Sequence, residues 1–237
     1  MSILQQSTRL IGKLRDMALA QDCLLCASDS GTQVLCPACE KDLPRLAAAR
    51  CPQCALPSAR SERCGRCLTH PPHYDTTHAV YRYDFPVDKL IQAFKYGERL
   101  ALAPYFAKQL ATALAGHAAD LLIPLPLHPL RLRERGFNQA LELARPVSAA
   151  LRIALAADTC SRTRNTQPQA SLPWRGRVKN IRGAFHCKAD LTGKSIILLD
   201  DVMTTGATLN ECARTLKLHG ARQVNLLLVA RALPVSA

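Results

Sequence analysis

No run of about 18 apolar residues occurs in the 237 residues of this chain, so no segment is expected to span a membrane. No secretory signal opens it. Met1 to Ala20 is polar at first and then weakly amphipathic, with Leu10, Ile11, Leu14, Met17 and Ala18 set among Arg9, Lys13 and Arg15. A surface or packing helix over residues 1–20 is the expectation. With no export signal, the 11 cysteines are expected in a reducing cytoplasm, as thiols or metal ligands rather than disulfides. Aromatic residues are scarce, at 5%. Acidic residues are in deficit, 18 against 31 Lys and Arg, for a net charge of +13. The imbalance is uneven: Leu121 to Ser195 holds 13 Lys and Arg against 4 Asp and Glu. Such a field attracts phosphate, whether on a small molecule or on nucleic acid, and charge alone does not choose between them.

What is plentiful is cysteine, and it is ordered. Four Cys-x-x-Cys pairs lie at Cys23/Cys26, Cys36/Cys39, Cys51/Cys54 and Cys64/Cys67. Two pairs separated by nine residues occur twice, offset by 28 residues at every ligand. Thiolates of two such pairs close an all-cysteine tetrahedral zinc site, which leaves no position for a substrate and is therefore structural. Two zinc ribbons in tandem, with two zinc ions, are expected. Scattered buried cysteines and iron–sulfur ligation are the alternatives. The repeat favours consecutive pairing, but a crossed pairing keeps the same spacing. His70 and His73 follow closely; with eight cysteines at hand they read as exposed linker residues. Cys160, Cys187 and Cys212 read as isolated buried thiols.

The stretch around which the rest is organised is Ile196-Ile197-Leu198-Leu199-Asp200-Asp201-Val202-Met203-Thr204-Thr205-Gly206-Ala207-Thr208. Four apolar residues without polar alternation predict a strand buried on both faces. A hydroxyl-rich turn follows, and Leu209, Cys212, Ala213 and Leu216 recur at helical spacing. Strand, turn and helix start together make an anion site, because free N–H groups and the helix dipole face outward there. A Gly-Lys-Ser/Thr ending is absent, which disfavours ATP. Asp200 and Asp201 suit a vicinal diol, a metal, or both. A sugar phosphate satisfies every group at once. A strand-ending Asp pair with Thr residues capping a helix is the structural alternative.

Elsewhere, His78 to Phe85 predicts a strand, and Val87 to Gly97 and Leu100 to Gly116 predict helices. Asp120 to Pro124 predicts a strand entering the sheet. A stiff basic loop follows, with Arg131, Arg133 and Arg135 at every second position, and Asn138 can cap a helix to about Leu151. That loop suits pyrophosphate, or is a solvated turn. Thr159 to Lys188 reads as a strand and a long basic loop carrying Arg162, Arg164, Gln167, Gln169, Trp174, Arg175, Arg177, Lys179, Asn180 and Arg182. Trp174 and its arginines would also suit single-stranded nucleic acid. Gly183 to Cys187, Ser195 to Leu199 and Gln223 to Arg231 are expected to complete the sheet.

The string Ile196 to Thr208 resembles the signature of type I phosphoribosyltransferases at every position. The resemblance implies 5-phosphoribosyl 1-pyrophosphate (PRPP) as ligand. It implies Thr204, Thr205, Gly206, Ala207 and Thr208 on the 5-phosphate, Asp200 and Asp201 on the ribose hydroxyls, and magnesium on the pyrophosphate. Pro124-x-Pro126, then Arg135-Gly136-Phe137-Asn138-Gln139-Ala140, together with the cysteine-rich head, is similar to the ComF family of competence-associated, phosphoribosyltransferase-like proteins. That resemblance runs from about residue 20 to 232. It implies a loop carrying Arg162, Arg164 and Arg175 that closes over PRPP, with Arg135 on the pyrophosphate. The expected fold is α/β: a mostly parallel, phosphoribosyltransferase-like sheet flanked by helices, with a small zinc-ribbon domain before it. The expected divisions are an N-terminal helix over 1–20, a double ribbon over 21–70, a hood over 71–118 and the core over 119–237. The implied process is DNA uptake in the cytoplasm, alongside a competence helicase or DNA-processing partner. Phosphoribosyl transfer to an unspecified acceptor, and non-catalytic binding of single-stranded DNA, are the two readings carried forward. No motif specifies the acceptor, and no protein nucleophile is evident.

Overall fold

The structure, a computed structural model, describes residues 21–96, 99–165 and 181–234. The helix expected over 1–20, Gly97, and the loop residues Gln167, Gln169, Trp174, Arg175, Arg177, Lys179 and Asn180 lie outside the described residues. The chain divides into two compact units, residues 1–44 and 45–237, so the division falls between the two cysteine repeats.

In the smaller unit, a short helix α1 (Pro37–Lys41) starts at the third cysteine, with Cys36 at its N-cap and Pro37 in its first turn. In the larger unit, α2 (Gly65–Thr69) starts in the same way on Cys64. Both ribbons thus end their second knuckle in one helical turn.

The larger unit is built on a five-stranded parallel sheet in the order β1 (Thr76–Arg82), β7 (Gln223–Arg231), β6 (Ser195–Met203), β2 (Leu121–Pro124), β3 (Ala154–Leu155). The middle strand is the predicted apolar one. Ile196, Ile197, Leu198 and Leu199 have no exposed surface, as a strand covered on both faces requires. It runs further than Leu199, because pairing with β7 continues from Asp200↔Leu228 to Met203↔Arg231. Asp200 and Asp201 therefore stand on a held strand end.

The helices follow the periodicity closely. They are α3 (Val87–Tyr96), α4 (Leu102–Ala113), α5 (Pro129–Arg135), α6 (Gln139–Leu151) and α7 (Ala207–Leu218). Helix α4 packs on α6, and α7 packs on β6, β7 and the short strand Phe185–Cys187. Asn138 caps α6 as expected, its Oδ1 accepting from the Ala140 N–H at 3.0 Å. No helix among the described residues is long and apolar enough to cross a membrane.

Two expectations change. The basic stretch after β2 is not a loop throughout but contains α5. His128 Nδ1 accepts from the Leu130 N–H at 3.2 Å and Pro129 fills the first helical position, so the proline starts a helix instead of stiffening a loop. And β5 (Phe185–Cys187) does not join the main sheet. It pairs antiparallel with β4 (Cys160–Arg162) in a separate two-stranded sheet, with Arg162 opposite Phe185.

Candidate functional site

The eight ribbon cysteines form two clusters, Cys23/Cys26/Cys36/Cys39 and Cys51/Cys54/Cys64/Cys67, with the sulfurs of each within 4.8 Å of one another. The pairing is consecutive. Cys26 Sγ lies 3.7 Å from Cys36 Sγ, and Cys54 Sγ lies 3.6 Å from Cys64 Sγ. Zinc–sulfur bonds of about 2.3 Å in a tetrahedron separate sulfurs by about 3.8 Å, so both sites fit zinc. Backbone N–H groups support the thiolates. Burial works against ionisation of Cys51, but the N–H groups of Cys64, Cys54 and Gln53 outweigh it and bring the thiol down to about 7. The Cys64 N–H sits 3.3 Å from Cys51 Sγ. His70 and His73 are exposed and belong to neither cluster.

The second constellation lies at the C-terminal ends of the parallel strands, where open α/β sheets carry their ligands. A cavity of about 430 Å³ is lined there by Asp200, Asp201, Thr204, Gly206, Ala207 and Thr208 from β6, its turn and the head of α7. Arg131 and Arg135 of α5, Arg162 of β4, and Lys95 and Tyr96 of α3 line it as well. Gly206 has a φ of +80° and serves as the N-cap of α7. The positive φ is what calls for glycine; a Cβ there would meet Met203 Cε, the end of a flexible side chain, at 2.6 Å and the Tyr74 hydroxyl at 3.3 Å, so both would have to shift.

Charges in the cavity are arranged in series. Lys95 Nζ pairs with Asp201 Oδ1 at 2.8 Å. Burial disfavours the Lys95 ammonium, but the Asp201 charge outweighs burial and lifts its pKa above the ordinary lysine value. Burial, followed by the charge of Asp201, pushes the Asp200 carboxyl up to about 7. Asp200 Oδ1 also accepts the Asp201 N–H at 2.9 Å. Arg135 is held by its neighbours: it donates to Gln139 Oε1 at 3.0 Å and to the Tyr96 hydroxyl at 3.2 Å, and stacks over the Tyr96 ring. Arg162 lies over the Phe185 ring, and burial lowers its pKa. The cavity thus brings together basic side chains, the backbone at the head of α7, and a carboxyl whose pKa is lifted to about 7.

The structure gathers most of the residues singled out from sequence. Asp200, Asp201, Thr204, Gly206, Ala207, Thr208, Arg135 and Arg162 share the cavity. Thr205 sits in the same turn, where the Ala207 N–H donates to its Oγ1 at 3.4 Å. Arg164 is exposed, donates to the Arg182 carbonyl and is not part of the lining. Arg175 lies outside the described residues. Cys160 and Cys212 are not isolated, since their sulfurs approach to 3.8 Å. Arg131, expected with Arg133 and Arg135 in the basic stretch, lines the cavity too, whereas sequence reasoning missed Lys95 as a partner of the cavity and missed Arg231, which is buried behind the turn. Lys95 gave no distinctive local signal, because Asp88 and Gln92 lie on the same helix face at i−7 and i−3.

Comparison with known proteins agrees with this division of labour. Residues 14–68 match the family model described as a double zinc ribbon domain, and residues 105–233 match that described as a phosphoribosyl transferase domain. The chain is 33% identical over 208 residues to DNA utilization protein YhgH of Shigella flexneri, spanning 84% of this chain and 91% of that one. It is 30% identical to Competence protein F of Haemophilus influenzae, over 84% and 90% of the two chains. With Competence protein ComFC of Streptococcus pneumoniae it shares 26% identity over 83% and 87%.

Proposed function

The chain belongs to the ComF family, phosphoribosyltransferase-domain proteins headed by a double zinc ribbon, and from that premise we propose that its cavity binds PRPP together with magnesium. One observation carries the reading. The turn Thr204 to Thr208 heads a 12-residue helix at one end of the cavity, Arg131, Arg135 and Arg162 stand in the same lining, and the two carboxylates lie on the strand end that leads into the turn. The turn suits a 5-phosphate. The arginines suit a pyrophosphate, whose oxygens they can meet in pairs. Asp200 accepts a ribose hydroxyl, and Asp201, anchored by Lys95, fixes the strand end beside it.

Transfer follows from the same placement. As pyrophosphate leaves, the anomeric carbon gains positive character, and the carboxylates beside the ribose offset it. The arginines stabilise the departing oxygens. Magnesium, when bound, neutralises pyrophosphate charge and fixes its conformation. The acceptor is a separate specificity, and acceptor-dependent release of pyrophosphate is its assay. The relatives' names refer to DNA utilization and competence; we extend that process, in the cytoplasm and beside a helicase or DNA-processing partner, to this chain. The charge excess between Leu121 and Ser195 favours a second reading, in which the same basic face binds single-stranded DNA without catalysis.

A displacement titration tests the first reading. Ribose 5-phosphate and pyrophosphate should each bind, and PRPP with magnesium should bind more tightly than either, because it spans both ends of the cavity. PRPP binding no tighter than pyrophosphate would overturn it.

A further inference from the structure

The second cysteine cluster and the phosphate-binding turn share a side chain to which the proposed chemistry gives no role. Arg231 ends β7 and is 2% exposed. Among the described residues no carboxylate lies within ion-pair distance of it. Carbonyl oxygens take its donors instead. Nε donates to the Cys54 carbonyl at 2.9 Å. Nη1 donates to the Met203 carbonyl at 2.9 Å, and also to those of Thr204 and Ala232. One guanidinium thus joins a metal-ligand residue to the first residues of the turn.

The placement has two physical consequences. A buried guanidinium without a carboxylate is costly, and four carbonyls offset only part of the cost. The four thiolates of the adjoining cluster outweigh the charge of one zinc ion, so the loaded cluster is a net anion and supplies the remainder. Peptide units are also planar and trans, so a carbonyl turned toward Arg231 turns the next N–H away from it. Holding the Met203 and Thr204 carbonyls therefore aims the N–H groups of Thr204 and Thr205 to the far side of the turn. A second contact runs in parallel. Gln53, between two cysteine ligands, donates to the Tyr74 carbonyl at 3.0 Å, and the Tyr74 hydroxyl backs Gly206.

We infer that Arg231 is a positioning residue that couples metal binding at Cys51, Cys54, Cys64 and Cys67 to anion binding at Thr204–Thr208. The inference rests on the sugar-phosphate reading of the turn. Coupling between two sites is reciprocal: an anion on the turn tightens the metal site by the factor by which the metal tightens the anion.

The test uses the full zinc-loaded chain. Zinc affinity is measured by competition with a chromogenic chelator, with and without ribose 5-phosphate, and binding of ribose 5-phosphate is followed in parallel by calorimetry. Ribose 5-phosphate should tighten one of the two zinc sites about 5-fold or more, within the usual range of coupling energies. Arg231→Lys keeps the charge but loses the fork that spans both segments, so it should abolish the tightening and weaken ribose 5-phosphate by a similar factor. Binding of ribose 5-phosphate with unchanged zinc affinity overturns the inference and leaves the sugar-phosphate site standing. So does equal tightening of both zinc sites, or tightening that persists in Arg231→Lys. The wild-type comparison needs no variant, so a misfolded Arg231→Lys does not spare the inference. Absence of any heat with ribose 5-phosphate or PRPP removes the site, and the inference with it.

Discussion

Lys95 and Asp201 form an ion pair whose side chains are only 18% and 8% exposed. Removing one partner of such a pair strands the other. Lys95→Met should cost about 3 kcal/mol in chemical denaturation, with most of the loss recovered in Lys95→Met/Asp201→Asn; additive losses would mean the two do not act as a pair. Asp200 gives a pH signature. Its carboxyl is pushed up to about 7 in the folded chain, while an unfolded Asp titrates near 4. Between those values the folded state holds the extra proton, so stability from this group is full below about pH 4 and is lost as pH rises through about 7. Asp200→Asn should flatten that fall in thermal melts; an unchanged slope would mean that another group titrates. Asp200 and Asp201 were legible in the sequence because everything that identifies them is local. Lys95 was not, because it reaches the carboxylates from a distant helix and only the fold makes them neighbours.

Elements show where local pattern misleads. Three arginines at every second position look equivalent along a loop, but on α5 residues four apart share a face and the one between turns away. Arg131 and Arg135 line the cavity and Arg133 is exposed. Neutralising Arg131 or Arg135 should weaken PRPP about tenfold, the usual worth of a charge-assisted hydrogen bond, and Arg133→Ala should not. Equal losses at all three would restore the loop reading. The turn is legible for the opposite reason: Gly206 is demanded by its own backbone. Gly206→Ala should destabilise the chain by about 1–2 kcal/mol and lose anion affinity, both measured on the purified variant. The cysteine repeat gave the number of metal sites, but the pairing needed three dimensions. Two clusters of four thiols predict about two zinc per chain by elemental analysis; iron, or no metal, would contradict the ribbons.

Across the whole molecule, the order of the parallel sheet could not be read from any one strand, since β1 and β7 pair from opposite ends of the larger unit. The apolar middle strand was legible because burial on both faces removes alternation. The separate pairing of β4 with β5 was not, because three-residue strands carry too little pattern to name a partner. The unit boundary after Pro44 separates ribbons that the repeat makes look alike, and the second packs its backbone against β1 and β7, with the Thr77 N–H on the Pro52 carbonyl and Arg231 on Cys54. The net charge of +13 favours anionic ligands, the class to which the proposed PRPP belongs. The most direct measurement is therefore calorimetric titration of PRPP with magnesium into the wild type and into Asp200→Asn/Asp201→Asn. Saturable heat in the wild type, absent from a variant that still melts cooperatively, is the expected result. No heat in the wild type, or equal heat in both, would contradict the account.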